Sequence, residues 1–255
     1  MKPLIVANWK MCPQNLMEAK RLFNSVKNGT KNIKNAEIVI CPPFLYLLLL
    51  SVSLNRSPRI HQIHLGAQNC FYKESGAYTG EISPLMLKDL GCKYVIIGHS
   101  ERRALGETDQ MINNKIKMLL KTKLIPILCI GETQKQRVQG ETLQVLRNQL
   151  KQGLKNIAGR KLQSSKFCIA YEPIWAIGSG NPCSADDAMS VGLFIKKTIA
   201  SLYTKSVAKS LRILYGGSVN NKNSEVYIKQ ANMDGLLVGG ASLRSKEFIE
   251  IVKKV

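Results

Sequence analysis

Apolar positions along the chain fall into short blocks separated by longer amphipathic stretches. The blocks are Leu4–Ala7, Glu37–Cys41, Ile63–Ala67, Tyr94–Ile97, Ile125–Ile130, Phe167–Tyr171, Arg212–Tyr215 and Leu236–Val238. Most are β-branched or apolar at successive positions, with no alternation of inside and outside. A strand apolar on both faces belongs in a parallel sheet covered on both sides. Between the blocks, Leu16–Lys27, Asp109–Lys121, Thr142–Ile157 and Ala185–Leu202 carry helical patterns. Ser184 followed by Asp186 and Asp187 supplies a cap and first-turn carboxylates for the last of these. Repeated alternation of strand and helix predicts an α/β fold, a (β/α)₈ barrel. An open doubly wound sheet is the alternative, but no G-x-G-x-x-G fingerprint follows the first block. No Pro/Gly/Ser-rich linker interrupts the chain, so one domain over residues 1–255 is expected.

One stretch breaks the pattern. Phe44 to Leu50, extended by Val52 and Leu54, lacks the polar face of a surface helix. It is well short of the roughly 20 residues that span a bilayer, so it predicts a buried helix or a contact surface and no membrane protein. The segment Met1–Lys10 is too short and too polar for a signal peptide, which favours a cytoplasmic protein. Seven cysteines without C-x-x-C spacing fit a reduced compartment, and Cys41, Cys129 and Cys168 sit in or beside apolar runs as small hydrophobes.

Charge changes the picture more. Lys and Arg number 37 against 17 Asp and Glu, a net charge of +20. The basic residues are spread along the chain and lack interleaved aromatics. That distribution reads as a solvated surface with weak, salt-sensitive attraction for polyanions, not a specific nucleic-acid site.

Candidate chemistry gathers where strand blocks end. After the first block come Asn8 and Lys10; a lysine at a barrel mouth can bind phosphate or carboxylate, with the asparagine holding its ammonium, although a surface lysine is the plainer reading. Gly98-His99-Ser100-Glu101 follows the fourth block, and a neutral His99 at a helix start could polarise a carbonyl. Glu101 suits either a supporting carboxylate or an ion-pair partner of Lys10, Arg102 or Arg103. His61 and His64, three apart in a predicted strand, face opposite ways and do not chelate a metal as a local pair.

Glu172 ends the sixth block, and Pro173 biases it towards extended geometry, projecting a carboxylate fit to take a proton from carbon. The following Ile174–Gly180 is apolar first and glycine-rich last, as a water-excluding lid over phosphate requires, although it also reads as a structural loop burying Trp175. Gly216-Gly217-Ser218 and Gly239-Gly240 end the last two blocks, where successive amides make an anion nest.

These stretches, with AQNC at Ala67, GAYTGEISP at Gly76 and CIGE at Cys129, closely resemble the triosephosphate isomerase family from Asn8 to about Leu243. The resemblance implies a TIM barrel that interconverts dihydroxyacetone phosphate and glyceraldehyde 3-phosphate in glycolysis and gluconeogenesis, with neither cofactor nor metal. It implies Glu172 as the base, His99 as the neutral electrophile and Lys10 as an electrostatic partner of substrate, with Asn8 in the same subsite. Gly178, Ser218, Gly239 and Gly240 would hold phosphate, Glu101 would support the site and Cys129 would pack beneath it. It further implies a homodimer through Gln68 to Glu81.

Four departures bear on lid motion and interface strength and leave the reacting groups untouched. They are Cys12 beside the first motif, Asn181-Pro182-Cys183 after the lid, Leu105 in a shortened segment, and the longer stretch between Pro43 and Ala67. Two rival readings explain less. A Schiff-base aldolase needs a lysine at a strand's C-terminal end, where the sixth block offers Glu172 with Lys166 at its opposite end, and a metal aldolase needs clustered histidines, which the sequence lacks. A basic nucleic-acid scaffold leaves the ordered motifs unexplained.

Overall fold

The computed structural model describes residues 1–55 and 62–255; His61 lies outside the described residues. Eight strands close a parallel barrel in sequence order. They are β1 (Leu4–Asn8), β2 (Glu37–Cys41), β3 (Ile63–Ala67), β4 (Cys92–Ile97), β5 (Ile125–Ile130), β6 (Cys168–Tyr171), β7 (Arg212–Tyr215) and β8 (Gly235–Val238). Closure is made where β8 pairs with β1, Leu4 opposite Gly235. A Cβ at Gly235 would lie 2.1 Å from the Leu4 carbonyl oxygen, so this seam needs a residue without a side chain.

The barrel explains the unbroken apolar runs. Alternate strand residues fill two separate cores. Leu4, Val6, Val39, Ile96, Ile127 and Leu214 pack inside the barrel. Ile5, Ile38, Ile40, Val95, Ile97 and Ile213 pack outward under the helices. Cys41, Cys129 and Cys168 belong to the interior, where burial pushes their thiols up, Cys168 to about 12.

The helix Ala185–Leu202 begins as predicted, with the Ser184 side chain accepting the Asp187 amide. The helix at Thr142 ends at Gly153, short of the expected Ile157. Asn113, from another helix, donates to the carbonyls of Gly153 and Lys155 and caps that end, a tertiary contact that periodicity does not reveal.

The odd apolar run forms the helix Phe44–Asn55, with Tyr46, Leu47 and Leu50 buried. Leu45 is 86% exposed and Leu48 63%. Burial thus accounts for one face only, and the other presents apolar side chains to solvent. Among the described residues, no helix is long and apolar enough to cross a membrane.

At the N-terminal end of the barrel, Glu37 joins four elements. It accepts from Lys93 Nζ (2.9 Å), Tyr94 OH (2.7 Å) and Arg212 Nη1 (2.7 Å), and His64 Nε2 lies 3.1 Å away. Burial alone would raise the Glu37 carboxyl, but this ring of donors overrides it and holds the group far below the usual carboxylate range.

Candidate active site

The opposite, C-terminal end of the barrel holds a cavity of about 500 Å³, within the size range of small-molecule sites of roughly 300–1,000 Å³. Asn8, Lys10, His99, Glu172, Gly178, Ser218, Gly239 and Gly240 all line it. Residues from five strand ends therefore meet in one place, although as many as 232 positions separate them in sequence (Asn8 to Gly240).

Lys10 reaches the cavity through a left-handed backbone, φ 54°, a conformation that costs a non-glycine residue free energy. Asn8 Oδ1 accepts the Lys10 amide at 3.1 Å, and Gln68 Nε2 donates to the Lys10 carbonyl at 2.8 Å. Asn8 thus holds the main chain of Lys10, not the ammonium as expected. The ammonium instead pairs with Glu101 Oε1 at 2.5 Å. That also decides between the partners considered for Glu101, since Arg103 pairs with Asp109 and the Gly98 carbonyl. Glu101 is half exposed and stays outside the cavity wall.

His99 caps the helical turn Ser100–Ala104. Its Nδ1 accepts the Glu101 amide at 3.2 Å, so the proton of the neutral ring resides on Nε2. Nε2 lies 3.0 Å from Glu172 Oε1. The other carboxylate oxygen of Glu172 accepts the Ser100 amide at 3.0 Å. Both side chains are nearly withdrawn from solvent, Glu172 being 2% exposed. Cys129 is fully buried beside them; burial and then the neighbouring Glu172 carboxylate raise its thiol well above the ordinary value. The arrangement places a buried base and an N–H donor side by side at a cavity floor, suited to moving a proton on a carbon next to a carbonyl.

Glycine-rich backbone forms the far wall. Gly178 and Gly180 take φ of 67° and 73°. The pair Gly239-Gly240 opens a 3₁₀ turn, Gly240–Leu243, directly after β8. After β7 the chain passes through Ser218 to Asn220 before the helix Ser224–Lys229 begins, so there the nest is a loop alone.

Three positions beside the cavity had no site role assigned from the sequence. Gln68 secures Lys10 and also donates to the Cys41 carbonyl at 3.0 Å. Arg244 lines the cavity mouth, ion-paired to Glu247 at 2.6 Å. Glu132 is fully buried behind the loop Ile174–Gly180, where its Oε1 accepts from Trp175 Nε1 (2.8 Å) and Tyr171 OH (3.1 Å), while Oε2 has no hydrogen-bond partner among the described residues. Arg137 stacks over the Trp175 ring at 4.2 Å and pairs with Asp187 at 2.8 Å, which fixes the first turn of the expected lid, Ile174–Ala176. Trp175 is therefore anchored, not simply buried. The AQNC and CIGE motifs contain Gln68 and Glu132 without giving either a role at the cavity, and nothing local marked Arg244. No group of three His, Cys, Asp or Glu among the described residues is arranged to hold a metal.

The model of the triosephosphate isomerase family matches residues 3–255. The chain is 48% identical over 256 residues to the triosephosphate isomerase of Dehalococcoides mccartyi (strain BAV1), covering 100% of this chain and 97% of that one. It is 46% identical over 253 residues to that of Dictyoglomus turgidum, covering 99% of each, and 46% over 252 residues to that of Thermoanaerobacter pseudethanolicus, covering 98% of each.

Proposed function

The chain belongs to the triosephosphate isomerase family and interconverts dihydroxyacetone phosphate and glyceraldehyde 3-phosphate, and from that premise we propose that Glu172, His99 and Lys10 carry the reaction. The observation that supports this assignment is the contact between Glu172 and His99 at the floor of the cavity.

In this mechanism the Glu172 carboxylate takes a proton from the carbon beside the substrate carbonyl. The electron pair of the broken C–H bond forms the enediolate, whose negative charge develops on the carbonyl oxygen. His99 Nε2–H donates to that oxygen, and the Lys10 ammonium balances the charge. The hydroxyl proton on the adjacent carbon's oxygen passes to the former carbonyl oxygen, with His99 as the relay, and Glu172 returns its proton to that adjacent carbon, so aldose and ketose interconvert with no net loss of protons or electrons. The amides of Gly178, Ser218, Gly239 and Gly240 grip the phosphate, and closure of Ile174–Gly180 excludes water while the enediolate exists. The role of Gln68 and Asn8 is to fix the strained Lys10 backbone.

The test is a coupled assay with glyceraldehyde 3-phosphate, with EDTA present and no metal added. Rapid turnover that falls at least about 10²-fold in a folded Glu172→Gln variant is expected. Wild-type turnover in that variant rules out Glu172 as the base.

A homodimer working in the cytoplasm is part of the same proposal. Its support is a self-packed, exposed loop, in which Phe71 contacts Tyr72 and Tyr78 with ring centroids 4.2 and 4.7 Å apart. Met11 is 84% exposed, and Leu45, Tyr78 and Met86 add further apolar surface. Cys12 follows Met11, so complete labelling of its thiol is expected to shift sedimentation towards the monomer; an unchanged dimer would remove Cys12 from the interface.

A further inference from the structure

A second cavity, of about 450 Å³, opens at the N-terminal end of the barrel, away from the catalytic mouth. Its wall includes Lys2, just before β1, Lys31 and Lys34 between the first helix and β2, and Glu37, Gln62 and His64. The only carboxylate in that wall among the described residues is already neutralised. Glu37 receives Lys93 and Arg212 together with the Tyr94 hydroxyl. Lys2, Lys31 and Lys34 make no ion pair among the described residues, so they bring three uncompensated positive charges to one concave site.

His64 adds a ring nitrogen without a partner. Its Nε2 faces Lys93 Nζ at 3.0 Å and Glu37 Oε1 at 3.1 Å, so that nitrogen is engaged within the wall. Nδ1 makes no hydrogen bond among the described residues. Clustered charge of one sign in a concave wall raises the local concentration of the opposite sign. Three ammonium groups exceed what one phosphate needs, and the cavity approaches the volume of the catalytic one.

We propose that this N-terminal cavity binds a small polyanion bearing two or more phosphate groups, at a site separate from the triose phosphate site. The lysines neutralise the phosphates, and the His64 ring in the same wall reports their arrival. Occupancy does not depend on the catalytic residues.

The chain has only three histidines, so ring ¹⁵N resonances report the two ends of the barrel separately, with His64 assigned by His64→Gln. Titration with inorganic tripolyphosphate at constant ionic strength is expected to move the His64 signals saturably, with a dissociation constant below about 1 mM. Lys31→Ala/Lys34→Ala should weaken this binding at least about tenfold while kcat/KM for glyceraldehyde 3-phosphate stays at the wild-type value. Lys117→Ala/Lys151→Ala, which removes the same charge from exposed lysines elsewhere, should retain it. The proposal is overturned if His64 does not respond, if only His99 responds, or if both double variants weaken binding equally. Single-stranded RNA binding far more tightly than tripolyphosphate, with affinity rising with its length, would also overturn it by identifying a nucleic-acid surface.

Discussion

Gly216→Ala tests how closely the barrel fixes Glu172, the carboxylate proposed as the base. A Cβ at Gly216 would lie 3.0 Å from Cγ of Glu172, 3.4 Å from the Tyr171 carbonyl oxygen and 3.5 Å from Cβ of Leu237. Gly216 does not adopt a left-handed φ, so alanine introduces bulk without backbone strain. Carbon atoms in ordinary contact stay at least about 3.5 Å apart, which leaves a shortfall near 0.5 Å. The Tyr171 carbonyl cannot retreat, because it accepts the Gly216 amide at 2.8 Å. Glu172 must therefore yield, against the contacts that fix its oxygens on His99 and Ser100. A misplacement of 1 Å costs about 10²-fold in rate, so half of that predicts a fall of about tenfold in kcat. KM should change little, since Glu172 does not grip the phosphate. Overpacking should also lower stability by about 1–3 kcal/mol. The assay is steady-state turnover of glyceraldehyde 3-phosphate beside a urea unfolding curve. A folded variant with kcat within about twofold of wild type, far inside the tenfold expected, would refute the argument that Gly216 sets the position of Glu172.

Two other perturbations address the lid and the far end of the barrel. Trp175→Phe removes the indole donor from the buried Glu132 and should destabilise the lid position seen here by about 1–2 kcal/mol, a factor of roughly 5 to 30; if closure grips phosphate, glycerol 3-phosphate then binds more tightly, and unchanged affinity counts against the tether. Glu37→Gln leaves Arg212 and Lys93 without their carboxylate and should cost about 3 kcal/mol at neutral pH. Because the folded-state value of Glu37 lies below its unfolded value, its stabilisation is complete above the ordinary carboxylate range and is lost as pH falls. The gap between wild type and variant should accordingly narrow below about pH 4, and a gap independent of pH would remove Glu37 as its source.

The amino-acid sequence by itself determined the element order and the chemistry at the strand ends. Strand blocks apolar on both faces require cover on both faces, and repeated alternation with amphipathic helices leaves few topologies besides a barrel. Where boundaries failed, the cause was remote: Asn113 caps the helix that ends at Gly153 from another part of the chain. Motif residues such as Glu172 and His99 were legible because their neighbours, Pro173 and the turn at Ser100, impose local geometry. Only the tertiary structure set the partners. It turned Asn8 to the Lys10 main chain, gave the Lys10 ammonium to Glu101, and brought Gln68 and Glu132 to the site. It also gathered Lys2, Lys31, Lys34 and His64 around one cavity, from charges that look evenly scattered along the chain. The reason is physical: backbone propensity and apolar period act over a few residues, whereas ion pairs and side-chain hydrogen bonds form between whatever groups barrel closure makes neighbours.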